Sequence, residues 1–104
     1  MPYESIYGKP EKVFSEISES TFDWVNDEYE FLSAYSLEEY GQNVNMWIPI
    51  PDDKADFYFA LEYYDKYKKC NVRKTEKCHI IGDYAFKEFW NSNESNMKIA
   101  LLCK

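Results

Sequence analysis

Cys70, Cys78, His79 and Cys103 are the only thiols and imidazole in this 104-residue chain. Together they could nominally fill a tetrahedral zinc site. Structural zinc sites usually draw ligand pairs two to four residues apart, on a knuckle or a helix. Here the spacing is Cys-x7-Cys-His with the last cysteine far downstream. Adjacent residues on a strand also point to opposite faces. That geometry turns His79 away from Cys78, so a Cys–His nucleophile pair is not expected either. Cys103, set beside Leu101 and Leu102, reads as a small core residue. Asp52, Asp53 and Asp56 could meet a hard cation, but an EF-hand loop needs a glycine near its middle and none stands there. No phosphate-binding loop, dinucleotide fingerprint, H-E-x-x-H or G-x-S-x-G motif occurs. The expectation is no catalytic residue, no metal and no cofactor.

Charge carries more information. The formal net charge is −7, but it is unevenly spread. Residues 1–65 hold 15 acidic side chains against 3 basic ones, a net of −12, while residues 66–104 hold 9 basic against 4 acidic, a net of +5. The acidic part interleaves carboxylates with large aromatics: Asp23, Asp27, Glu28 and Glu30 beside Trp24 and Tyr29, then Glu38 and Glu39, then Asp52, Asp53 and Asp56. Carboxylates at phosphate-like separations can fill a cationic groove, charge steering speeds the encounter, and buried Tyr and Trp give retention. The opposite signal is Lys66, Lys68, Lys69, Arg73, Lys74 and Lys77 beside Tyr63, Tyr64 and Tyr67, which could track a phosphate backbone. The overall negative charge argues against free nucleic acid and against an anionic membrane as the main partner.

The elements that must position these residues are read from periodicity. Pro10 to Glu19 reads as a short helix, with Val13, Phe14 and Ile17 on one face. Glu28 to Tyr40 reads as a helix closed by Gly41, against a rival strand over Tyr29–Tyr35. Val44 to Ile50 alternates as a strand, and Pro49 puts it at an edge. Asp53 to Lys69 reads as a helix, against a rival strand in which Phe57, Phe59, Leu61 and Tyr63 alternate. Asn71 to Glu76 reads as a polar connection, Cys78 to Ile81 as a short strand, Tyr84 to Trp90 as a helix capped by Gly82-Asp83, and Met97 to Cys103 as a central strand. The expected architecture is one small α+β domain, a short sheet of about three strands packed with three or four helices.

No window is apolar enough for a membrane helix, and the N-terminus lacks a secretory pattern. An odd number of cysteines points to reduced thiols in the cytoplasm. In size and charge the chain resembles small acidic proteins that block nucleic-acid enzymes: phage anti-host inhibitors of the anti-CRISPR and anti-restriction type, nucleic-acid mimics, and immunity proteins. The expected function is therefore a non-enzymatic inhibitor of a basic nuclease or related enzyme, with no direct nucleic-acid or membrane partner and with a homodimer left open. The partner-binding residues would be Asp23, Trp24, Asp27, Glu28, Tyr29, Glu30, Glu38, Glu39, Asp52, Asp53 and Asp56. The alternative is an assembly subunit held by an aromatic protein–protein interface.

Overall fold

The computed structural model describes residues 14–37, 44–54, 56–89 and 94–104. In these the chain is built of strands: β1 (Phe14–Glu16), β2 (Glu30–Leu37), β3 (Val44–Pro49), β4 (Phe57–Asp65), β5 (Cys70–Lys77), β6 (His79–Ile81), β7 (Tyr84–Phe89) and β8 (Glu94–Cys103). A single 3-10 turn, Glu19–Phe22, is the one helical element among the described residues. The α+β expectation is overturned. The fold is an antiparallel sandwich of two sheets, ordered β1-β2-β8-β4-β5 and β3-β7-β6.

One buried cluster draws from both sheets and forms the sandwich core. The larger sheet contributes Leu37, Phe57, Phe59, Leu61, Tyr63, Met97, Ile99, Leu101 and Cys103, and the smaller one Met46, Ile48 and Ala85. These are alternate residues on each strand, as one buried face requires. A second cluster lies on the outer face of the larger sheet. There Ala34, Ala100 and Ala60 stand in register across β2, β8 and β4. Phe22, only 1 % exposed, packs with these alanines and Leu102. The segment from Ile17 to Tyr29 thus covers the outer face of the sheet, tied down by Ile17 N–H donating to the Ala34 carbonyl (3.0 Å). The three methyl-sized residues leave the room that the ring occupies.

This double coverage explains the misread helices. The central strands are buried on both faces, so β4 carries apolar residues at nearly every position and satisfies the helical period as well as the strand period. Of the helix expected over Asp53–Lys69, Phe57–Asp65 is strand β4, the rival reading. In β2 the cause is a register shift between Phe31 and Ser33. It inserts Leu32 as an extra residue, so that Phe31 packs in the outer cluster and Leu32 against the sandwich core. The bulge breaks the alternation of Tyr29–Tyr35 and imitates a three-to-four-residue period.

The remaining corrections follow the same logic. Tyr84 to Phe89 is strand β7, because Gly82-Asp83 forms a two-residue hairpin loop and not a helix cap; Gly82 at φ +61° fits the first position of a type II′ turn. The polar run over Asn71–Glu76 lies within β5, paired residue for residue with β4. Of the helix over Pro10–Glu19, residues 10–13 lie outside the described residues and Phe14–Glu16 form β1. The strand readings at Val44–Ile50 and Met97–Cys103 agree with the structure. The first is the edge strand β3, and the second lies within β8, flanked by β2 and β4.

Candidate functional site

The end of the larger sheet is set by register. Glu30 at the start of β2 stands opposite Cys103 at the end of β8, and Cys103 stands opposite Phe57 at the start of β4. Two loops therefore meet there: the one entering β2, with Asp27, Glu28 and Tyr29, and the one entering β4, with Asp52, Asp53 and Asp56. Local hydrogen bonding shapes the first, since Glu28 N–H donates to Asn26 Oδ1 (2.8 Å). Lys104 N–H donates to the Asp56 carbonyl (3.1 Å), joining the last residue to the second.

The two loops and the strand starts carry six carboxylates, Asp27, Glu28, Glu30, Asp52, Asp53 and Asp56, all on exposed residues. Three lysines answer half of them. Lys54 bonds Glu30 at 3.1 Å, Lys77 bonds Asp56 at 3.3 Å and Lys104 bonds Glu28 at 3.1 Å. The hydrogen bond that Lys54 donates to Glu30 raises the Lys54 pKa above its ordinary value, and the one that Lys104 donates to Glu28 does the same for Lys104. Beneath them Tyr29 meets Tyr58 edge-on at 5.3 Å. Lys104 Nζ sits 5.3 Å from the Tyr29 ring and 5.6 Å from the Tyr58 ring, and Lys77 Nζ sits 5.3 Å from Tyr58. Cations over aromatic faces gain modestly at exposed sites. Here their larger effect is to hold the paired carboxylates in place, leaving Asp27, Asp52 and Asp53 with no ion pair among the described residues.

Two expected members lie elsewhere. Trp24 sits over the outer face of the larger sheet, where its Nε1–H donates to Glu62 Oε1 (3.2 Å). Arg73 closes that group, 3.5 Å from Glu62 Oε2 and with its guanidinium 5.8 Å from the Trp24 ring. Asp23 follows the 3-10 turn in the same covering layer. Glu38 and Glu39 lie outside the described residues. Sequence reading missed Tyr58, Lys77 and Lys104 at the acidic end and Glu62 and Arg73 beneath Trp24. Only the strand reading of β4 could have found them, since it puts Tyr58 and Glu62 on one face.

The basic stretch forms the opposite pole. Strand β4 leaves the acidic end at Phe57 and reaches its hairpin at Asp65, roughly 26 Å away at about 3.3 Å per residue. Asp65 Oδ1 accepts from Tyr67 N–H (2.9 Å) and Lys68 N–H (3.0 Å), while Lys69 N–H donates to the Asp65 carbonyl (2.7 Å). Lys69 closes the loop at φ 58°. This cap displays Lys66, Lys68 and Lys69 around Tyr67, which is 80 % exposed.

No family model matches the sequence, and no curated protein or solved structure is significantly similar to it.

The soft ligands do not converge. Cys70 pairs with Asp65 at the hairpin and Cys103 with Phe57 at the other end of the same strand. Cys78 flanks Phe57 on the side away from Cys103, donating N–H to its carbonyl (3.0 Å). Two strand spacings, about 10 Å, then separate these two buried thiols, too far for a disulfide. Burial pushes the Cys78 thiol up to about 12, with Glu76 adding to it, and burial likewise raises Cys103, followed by the Glu30 charge. Such thiols are protonated and inert near neutral pH. His79 is exposed on β6, its ring 6.2 Å from Phe86. A depression of 440 Å³ between the β2, β8, β4 and β5 ends is lined by Leu37, Glu62, Tyr63, Tyr64, Met97 and Lys98 among others, with neither cysteine nor histidine in its wall. No group of three or more metal-ligating side chains occurs among the described residues.

Proposed function

We propose that the protein works by binding, as a non-enzymatic inhibitor whose acidic end docks on the cationic groove of a nucleic-acid-processing enzyme and keeps the substrate out. The observation that carries this reading is that the two loops bearing Asp27, Glu28, Glu30, Asp52, Asp53 and Asp56 enter the larger sheet at the same end. Lys54, Lys77 and Lys104 neutralise only half of that charge. The surviving field accelerates association with a basic surface, and the Tyr29–Tyr58 pair lies beneath it to give contact area. The reduced thiols Cys70, Cys78 and Cys103 favour the cytoplasm as the place of action. Among the described residues no helix is long and apolar enough to cross a membrane.

The test compares the wild-type chain with an Asp27→Lys/Asp52→Lys/Asp53→Lys variant. Both are used to capture partners from source lysate at low and high salt, with mass spectrometry as the readout and inhibition of the captured enzyme as the check. The reading expects a nucleic-acid enzyme that is held at low salt, released at high salt and lost from the variant. Equal capture by both proteins would overturn it.

A second reading, an assembly subunit, draws on the outer face of the smaller sheet. Trp47 stands 4.7 Å from Phe86 and 6.1 Å from Tyr84, and Ile81 beside them is 40 % exposed. A partner that salt does not release would favour it.

A further inference from the structure

Strand β5 is a long, regular edge. It pairs with β4 over all of Cys70–Lys77 without a bulge and has no strand on its other side among the described residues. Only Val72 and Glu76 are less than exposed along it. The direction of its free backbone groups follows from the ladder. Cys78 N–H donates to the Phe57 carbonyl, Lys69 N–H to the Asp65 carbonyl and Lys104 N–H to the Asp56 carbonyl. Odd-numbered β4 residues therefore bond toward β5 and even-numbered ones toward β8. Antiparallel alternation then aims the N–H and C=O of Val72, Lys74 and Glu76 inward, and those of Asn71, Arg73, Thr75 and Lys77 outward to solvent. An outward row of this kind is a template for one more strand.

Charge selects what that strand is. Residues 65–77 carry six basic and two acidic side chains, a net of +4 in a chain of −7. Asp65 caps the hairpin and Glu76 is held by Lys87 at 2.6 Å, while Arg73 and Lys77 are paired with Glu62 and Asp56, so the uncompensated charge lies mainly on the hairpin lysines. Lys74 is 3.8 Å from that same Glu76, and the three hairpin lysines stand beyond it. Antiparallel pairing with the β5 edge of a second copy would set Arg73 or Lys74 opposite itself at mid-edge, which disfavours self-pairing. Nucleic acid would need exposed aromatic platforms along the edge. Tyr67 is one, but the Trp24 ring is occupied by Arg73.

We infer that β5 is a docking edge for an extended acidic segment of a partner protein, which adds as a strand beside Asn71–Lys77 with its carboxylates toward Lys74 and the Lys66–Lys69 hairpin. Its basic end, at the hairpin, is the pole opposite the acidic end, which the edge reaches only at Lys77.

The probe is a fluorescein-labelled peptide, Glu-Val-Glu-Thr-Glu-Val-Glu-Thr, followed by anisotropy and amide hydrogen exchange, with its Lys-for-Glu counterpart and a thymidine 15-mer as controls. The expected result is saturable binding of the acidic peptide alone, with exchange slowed at Asn71, Arg73, Thr75 and Lys77. A Lys66→Glu/Lys68→Glu variant should bind about tenfold more weakly. Thr75→Pro removes one outward N–H at an edge that tolerates proline and should weaken binding similarly. The inference is overturned if the peptide fails to bind, if protection falls elsewhere, or if the thymidine 15-mer competes for the same amides. At physiological salt the Asp27→Lys/Asp52→Lys/Asp53→Lys protein should bind the peptide as the wild type does, which separates this result from the fate of the acidic-end reading.

Discussion

Phe22 fastens the segment that carries Trp24, Asp27, Glu28 and Tyr29, so its removal should be felt both in stability and at the acidic end. The ring is 1 % exposed over Ala34, Ala60 and Ala100. A buried aromatic removes roughly 150–200 Å² from water, worth about 4–5 kcal/mol at about 25 cal/mol per Å². Measured Phe→Ala losses in cores run about 3–5 kcal/mol. The alanines beneath cannot move in to fill the space, because they are fixed by the β2-β8-β4 register. Phe22→Ala should therefore lose about 3–4 kcal/mol in urea unfolding, a large share of the roughly 5–15 kcal/mol typical of a domain. Phe22→Leu should lose under about 1.5 kcal/mol. Amide exchange tells what happens to the covering segment: the Ile17 N–H, bonded to Ala34, should exchange faster in Phe22→Ala. A loss below about 1 kcal/mol with Ile17 protection unchanged would refute the idea that this ring holds the layer to the sheet.

Two further predictions concern the thiols and a turn. Cys70, the exposed thiol, should react with a thiol reagent in the native protein, whereas Cys78 and Cys103 should wait for unfolding; native labelling of all three would contradict their burial. Burial raises the Cys78 pKa from an ordinary 9.0 to about 12, so the native state keeps a proton that the unfolded chain gives up. Its contribution is complete below pH 9 and is lost as pH climbs from 9 toward 12, at about 1.4 kcal/mol per pH unit. Urea unfolding between pH 8 and 10 should show that extra slope in wild type and not in Cys78→Ala, and equal slopes would dismiss it. Gly82→Ala should cost about 1 kcal/mol through the positive φ alone, since no atom lies within 4 Å of the added methyl; a neutral result would mean that the turn relaxes.

Strand β8 was legible in the sequence because Met97–Cys103 is a near-continuous apolar run, which a strand buried on both faces produces. Strand β3 was legible through clean alternation and the position of Pro49. Strand β4 was not, because burial on both faces erases the period that separates helix from strand. Its wealth of Phe and Tyr, which favour pleated surfaces, was the better guide. Strand β5 was hidden for the opposite reason: an edge that buries little needs little apolar residue, and Asn71–Glu76 therefore reads as a loop. Of the acidic residues, nothing in sequence order indicates that Glu28 and Asp53 share an end while Trp24 does not. That depends on the pairing of Glu30 with Cys103 and of Cys103 with Phe57.

The same pairing changes what the net charge means. A value of −7 argues against anionic partners only if a ligand feels the whole molecule. In this fold the acidic loops precede β2 and β4, and the basic hairpin follows β4, so the strand holds the two poles roughly 26 Å apart. At physiological salt the screening length is about 8 Å, so the poles lie more than three such lengths apart. Each end then acts on its own local charge: a ligand at the Lys66–Lys69 hairpin is attracted by lysines and hardly repelled by Asp52 or Asp53. A cationic surface at the acidic end is compatible with an acidic strand on β5 whose carboxylates lie toward the hairpin. Lowering the salt lengthens the screening distance to about 30 Å at 0.01 M, at which point each pole begins to weaken the other. Affinity of the acidic peptide for β5 should thus gain less from desalting than its own charge would dictate, and the Asp27→Lys/Asp52→Lys/Asp53→Lys change should restore that gain at 0.01 M while leaving affinity at physiological salt unaltered.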